Sequence, residues 1–276
     1  TVIYGLSSII GRLAVWALTP ILTLRLGLDE YGVFADLYSF VTYFLVILTY
    51  GMETSFFRFS SDDRSDFRPY AQSFIYVTGL ALIFLLIFGL GHQGFANILG
   101  YGDRSGLVLM VVAIIFLDVV VALPMAKLRF DERPLVFAMV SLVSIFLNIG
   151  LNVYFYLVLK HDTFKFTLLI FLSTKASDFL ARVGGFGRRL GRLQLLPERF
   201  LINKKMMRAM VNFGMYIMLA GLFGMINQYS DVNFIKRIWG SEPALFQERW
   251  LTGAEMAGIF SANKKLAVFI LLVTQA

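Results

Sequence analysis

The sequence predicts an all-α polytopic membrane protein of about eight transmembrane helices, a first six-helix bundle followed by the start of a pseudo-symmetric second bundle. Three observations predict it. The chain is 58% hydrophobic and only 16% charged, too apolar for a soluble domain of 276 residues. Its apolar runs reach the ~20 residues that a helix needs to cross a ~30 Å hydrocarbon core. The runs are continuous rather than alternating, which argues for helices and against barrel strands.

The clearest spans are 36–57, 71–90, 105–126, 135–159 and 266–276. Thr1–Leu24, Thr163–Arg182 and Met206–Ile235 are further spans that also carry polar residues. The longest polar connector, 183–205, divides the chain into a six-helix bundle over 1–182 and the first two helices of a second bundle over 206–276. Spans 7 and 8 alone would leave Asp231 and Lys264 without a second bundle to cover them. The native protein is therefore expected to continue beyond Ala276 for at least four more helices.

Composition excludes several functions. The absence of cysteine removes disulfides, thiol nucleophiles and cysteine-based metal sites. His92 and His161 fall in expected loops and form no metal cluster. No metal site and no cofactor is expected. The net charge of +7 is assigned to basic loops facing anionic lipid heads rather than to nucleic acid. Gly185, Gly187 and Gly191 resemble a dinucleotide fingerprint, but follow a membrane span and sit among arginines, without the strand that such a fingerprint requires.

Cytoplasmic loops are enriched in Lys and Arg. The loop after span 2 holds Arg58, Arg64 and Arg68; that after span 4 holds Lys127, Arg129 and Arg133. The connector after span 6 is more basic still, with Arg188, Arg189, Arg192 and Arg199 among its charges. The odd-numbered loops are poorer in such residues. This alternation predicts a cytoplasmic N-terminus.

An internal repeat is visible. "YGVFADLYSFVTYFLVIL" from Tyr31 and "AGIFSANKKLAVFILLV" from Ala257 share a glycine, a β-branched residue and a phenylalanine, then a polar stretch and an apolar run. Upstream, "YGLSSIIGRLAVWAL" and "FGMYIMLAGLFGMIN" lie in register near their starts. Spans 7 and 8 thus read as spans 1 and 2 begun again.

The segments "YGLSSIIGRLAVWALTPILTLRL", "DEYGVFADLYSF", "GMINQYSDVNFIKR" and above all "YGMETSFFRFS" (Tyr50–Ser60) resemble the bacterial polysaccharide-biosynthesis flippases. These belong to the multidrug/oligosaccharidyl-lipid/polysaccharide exporter superfamily. The resemblance implies two helical bundles around a central cavity in the bacterial inner membrane. It also implies translocation of undecaprenyl-pyrophosphate-linked oligosaccharide repeat units, by alternating access, for surface polysaccharide such as lipopolysaccharide. The chain departs from the pattern in ending after about eight spans, and in lacking a helix-bending proline near Met215 or Tyr216.

Ionisable residues inside a membrane are costly and mark function or internal pairing. Arg12, midway along span 1, either faces a lipid pyrophosphate, which its fork fits bidentately, or pairs with Asp118 or Asp231. Arg25, Arg58, Lys264 and Lys265 are further candidates for the anionic head group. Glu53 and Arg58 form a gate, the head-group entrance or a simple interfacial pair. Asp118 in span 4 takes a proton, meets a cavity cation or closes a salt bridge. Lys175 and Asp178 are three apart on span 6 and either neutralise each other or, with Ser173, Thr174 and Ser177, line a cavity and serve coupling. Asn227 and Asp231 share a face of span 7, where they line a cavity, couple a cation or mark the outer interface.

The expected partners are a lipid-linked oligosaccharide, membrane lipids and a coupling cation, H+ or Na+. The function expected is transport rather than catalysis. A cation-coupled multidrug antiporter on the same fold is the alternative, disfavoured by the cavity cations; a membrane-integral glycan polymerase or transferase is less favoured, since Asp62, Asp63 and Asp66 are the only acidic loop cluster.

Overall fold

The computed structural model describes residues 2–61, 66–154, 203–239 and 252–274, with side chains at Leu13, 27–61, 66–151, Tyr154, 203–238 and 252–264. Every described element is helical. In chain order these are α1 (Val2–Thr49), α2 (Met52–Phe59), α3 (Arg68–Leu90), α4 (His92–Leu99), a 3-10 turn (Gly102–Arg104), α5 (Ser105–Phe130), α6 (Pro134–Val153), α7 (Lys204–Trp239) and α8 (Gly253–Thr274). Among the described residues, five segments are long and apolar enough to cross a membrane: Gly27–Phe59, Arg68–Leu90, Gly102–Phe130, Pro134–Leu151 and Lys204–Ile238. The expected count of about eight also drew on the first span, 163–182 and 266–276. The side chains of those segments, Leu13 apart, lie outside the described residues, as does the connector up to 202.

The long α1 is two helices joined at Gly27, where φ is 77° and ψ 168°. Only glycine reaches that region without strain. It is the boundary between the expected first and second spans. A second sharp change of direction follows at Tyr50–Gly51, both at positive φ (53° and 66°), after which α2 begins. His92, expected in a loop, opens the short helix α4; its Nδ1 lies 2.9 Å from the carbonyl of Gly89, and that contact ties it to the end of α3.

The core gathers where apolar faces with helical spacing meet. Tyr70, Phe74, Val77, Ala81 and Phe84 form a buried stripe on α3 with alternating steps of four and three, while Leu82, Ile83, Leu86 and Ile87 on the other face are exposed. In water that face would be a fault. In a bilayer it meets lipid tails. α5 is the most buried span and packs extensively against α3 and α1. Aromatic rings close both ends: Phe56 meets Phe130 at 5.0 Å and Tyr70 at 5.5 Å, while Phe44 meets Phe84 at 5.0 Å and Phe88 at 5.3 Å.

Helix starts follow from local chemistry. Asn203 accepts from the backbone amides of Lys205 and Met206 at 3.1 and 3.2 Å and caps α7. Thr252 and Glu255 exchange bonds at the start of α8: the Glu255 amide donates to Thr252 Oγ1 at 3.2 Å and the Thr252 amide to Glu255 Oε2 at 2.7 Å, a capping box. α7 has 36 residues, about 54 Å of helix. That exceeds the ~30 Å hydrocarbon core and allows both its basic ends to reach polar surroundings.

Candidate functional site

Among the described residues, the most elaborate polar constellation joins α1 and α7 on the C-terminal side of the Gly27 kink. Asp36 is buried there, 5% exposed. Its Oδ1 accepts from Asn233 Nδ2 at 2.6 Å; its Oδ2 accepts from the Tyr101 hydroxyl at 2.6 Å and from Lys236 Nζ at 2.8 Å. Lys236 Nζ also contacts the Tyr101 hydroxyl and lies 3.8 Å from the centroid of its ring. Asn233 donates its second amide proton to Ser39 Oγ at 2.8 Å, and Ser39 donates to the Asp36 carbonyl at 2.6 Å. The Tyr43 hydroxyl donates to Asn233 Oδ1 at 3.0 Å. Burial, and after it the Asp36 charge, raise the Tyr101 phenol above its ordinary range, so it stays a donor at neutral pH. Sequence spacing brings this together. Asp36, Ser39 and Tyr43 follow one face of α1, and Asn233 and Lys236 follow one face of α7.

Below this cluster α1 and α7 run antiparallel. A Cβ on Gly221 would lie 3.1 Å from Val46 Cγ1. At the other end a Cβ on Gly51 would meet the Gly214 carbonyl oxygen at 2.7 Å, and a Cβ on Gly214 would meet that of Tyr50 at 2.5 Å. Both glycines are needed because two backbones touch there. α8 crosses α1 at another glycine pair: a Cβ on Gly32 would collide with the Ala254 carbonyl, and one on Gly258 with the Leu28 carbonyl.

The segment Tyr50–Ser60 docks α2 on α7. Ser55 Oγ donates to the Met210 carbonyl at 3.1 Å, and the Arg58 guanidinium lies 4.4 Å from the Phe213 ring centroid. Glu53 pairs with Arg129 of α5 at 2.5 Å. Glu53 and Arg58 thus reach different neighbours, on a helix that starts at the turn of Gly51.

Asp231 pairs with Lys264 at 2.5 Å, and Lys264 also contacts the Gln228 carbonyl. Two candidates from different expected roles, head-group binding and coupling, are therefore one ion pair between α7 and α8. Asn227, one turn away, is exposed. Asp118 is half-buried midway along α5. The side chains of Arg12, Arg25 and Lys265, and all of Lys175 and Asp178, lie outside the described residues. Sequence reasoning missed Asp36 and Tyr101 and counted Lys236 as a loop charge. The signal was the matched spacing of polar residues on 36, 39 and 43 with that on 233 and 236.

The fold and these contacts define a multi-pass helical membrane protein whose two sequence halves are held together by polar and backbone contacts. The chain belongs to the polysaccharide biosynthesis protein family, whose model matches residues 1–275. Neither the curated proteins nor the solved structures gave a match.

Proposed function

We propose that this protein is a flippase that moves lipid-linked oligosaccharide repeat units across the bacterial inner membrane for surface polysaccharide assembly. It acts by alternating access and not as an enzyme. The observation that carries the reading is the contact between α1 and α8. Gly32 and Gly258, aligned by the internal repeat, each meet the backbone one turn before the other. Such reciprocity is what a two-fold axis along the membrane normal gives. Parallel repeats related in this way are a common transporter design, with substrate bound between them. Family membership supplies the glycan.

In this reading the C-terminal ends of α2 and α5 and the N-terminal end of α7 face the cytoplasm, with the N-terminus of the chain on the same side. Arg58, exposed above Phe213, and Arg12 and Arg25 receive the pyrophosphate. A gradient of H+ or Na+ drives return of the empty carrier. Deleting the gene should remove surface polysaccharide and accumulate undecaprenyl-pyrophosphate-linked repeat units facing the cytoplasm. Accumulation of unglycosylated carrier would indicate a transferase. Normal polysaccharide with altered drug sensitivity would indicate a drug antiporter.

A further inference from the structure

We propose that Asp36, Tyr101, Asn233 and Lys236 form a latch between α1 and α7 beside the Gly27 kink. Opening of the path at that face then requires Lys236 to leave Asp36. The proposal rests on the alternating-access reading for its purpose, though not for its test.

Three elements meet in the latch: α1 through Asp36, the connector after α4 through Tyr101, and α7 through Asn233 and Lys236. The Asp36 carboxylate receives three donors, two of them from α7. Of the neighbouring charges, Arg104 pairs with Glu30 at 2.8 Å and Lys264 with Asp231 at 2.5 Å, while Asp29 adds negative charge near Tyr101. Lys236 is therefore the cation that faces Asp36 among the described residues.

Such a pair suits a contact that must break. Its net contribution over an apolar isostere is small, because desolvation offsets attraction, yet removing Lys236 while the Asp36 carboxylate stays buried is strongly unfavourable. The closed arrangement is thus satisfied, and so is an open one in which water reaches both charges. Intermediate arrangements are not. Two packings with a barrier between them are what a switching element needs. The opposite end of the same interface is built differently. There Gly51 lies against Gly214, and Ser55 bonds the Met210 carbonyl, with no ion pair between α1–α2 and α7 among the described residues. The two ends therefore respond to different changes.

Residues 1–276 contain no cysteine, so two reporter pairs can be introduced there, with any cysteine elsewhere in the protein replaced by serine, and followed in membranes. Asp29→Cys with Thr252→Cys reports the latched end, since Thr252 Oγ1 and Asp29 Oδ1 are 3.4 Å apart. Val46→Cys with Gly221→Cys reports the middle of the interface. Adding Asp36→Asn, or Lys236→Met with Asp36→Asn to avoid a stranded buried carboxylate, should slow disulfide formation at 29/252 about fivefold or more, with 46/221 unchanged. The proposal is overturned if the charge-neutral double variant cross-links at 29/252 as fast as the parent, or if both pairs slow equally. Neither readout needs a substrate. A normal polysaccharide phenotype on gene deletion would sink the flippase reading while leaving the cross-linking result to decide the latch.

Discussion

Gly32 and Gly258 face one another across the α1–α8 crossing, each set against the backbone of the helix that carries the other. A methyl at either position has no room, and the colliding atom is a carbonyl oxygen that cannot rotate away. Gly32→Ala and Gly258→Ala should therefore each destabilise the protein by about 1–3 kcal/mol, the usual range for overpacking. Gly106→Ala, with open space around it, should be neutral. Thermal unfolding in detergent would read this; equal melting temperatures for all three would contradict the crossing.

Gly27→Ala places a side chain at φ 77° and ψ 168°. Nothing lies within 4 Å of the added methyl, so the cost is backbone strain alone, about 1–3 kcal/mol. The variant should lose stability, with the α7 contacts intact. Unchanged melting would mean that the bend between the first two helices does not need glycine.

Lys264 and Asp231 separate a structural pair from a binding residue. Lys264→Met should impair transport, because it leaves Asp231 unpaired in a half-buried site, and adding Asp231→Asn should restore much of the loss. Failure of that rescue, with normal protein abundance, would return Lys264 to the role of head-group ligand.

Arg58 lies against Phe213, a contact worth about 0.5–1 kcal/mol at an exposed site. Phe213→Ala should lower stability slightly. Arg58→Ala should lower it by no more, yet reduce glycan export well beyond that. Equal small effects on export would leave Arg58 as a packing residue only.

Asp66 ties down the start of α3. It accepts from the Arg68 amide at 2.9 Å and from Arg68 Nε at 2.9 and 3.0 Å. The Arg68 side-chain bond is the largest cause holding its carboxyl below the ordinary carboxylate range. A depressed carboxyl stabilises the fold above its unfolded value of ~3.9 and loses that contribution as pH falls through the folded value. Hydrogen exchange at the first turn of α3 should therefore rise below about pH 4, and Asp66→Asn should raise it at pH 7. Exchange independent of both would contradict the tie.

Five spans were legible among the described residues because continuous apolar runs of bilayer length rarely occur in folds that face water, and the glycines at 32 and 258 were legible as a repeat. What those glycines do was not, since close approach depends on where α8 crosses. Asp36 escaped notice because it opens an apolar run, where a lone carboxylate reads as the edge of a span. Its partner Lys236 lies 200 positions on, and no local pattern links the two. Glu53 with Arg129 is the same case: periodicity places a residue on a face but does not say which face it meets. The Tyr50–Ser60 segment stood out in sequence, and the structure gives it a physical role, a left-handed turn that swings α2 onto α7.

The central claim is translocation of a lipid-linked glycan. The most direct measurement is reconstitution of the purified protein in proteoliposomes carrying undecaprenyl-pyrophosphate-linked oligosaccharide, with glycan accessibility followed by a membrane-impermeant glycosidase. The account predicts that the shielded fraction becomes accessible with the parent protein, faster under an H+ or Na+ gradient. It should stay shielded when a 29/252 disulfide locks the halves, and become accessible again on reduction. A shielded fraction that remains constant with folded parent protein would contradict the account.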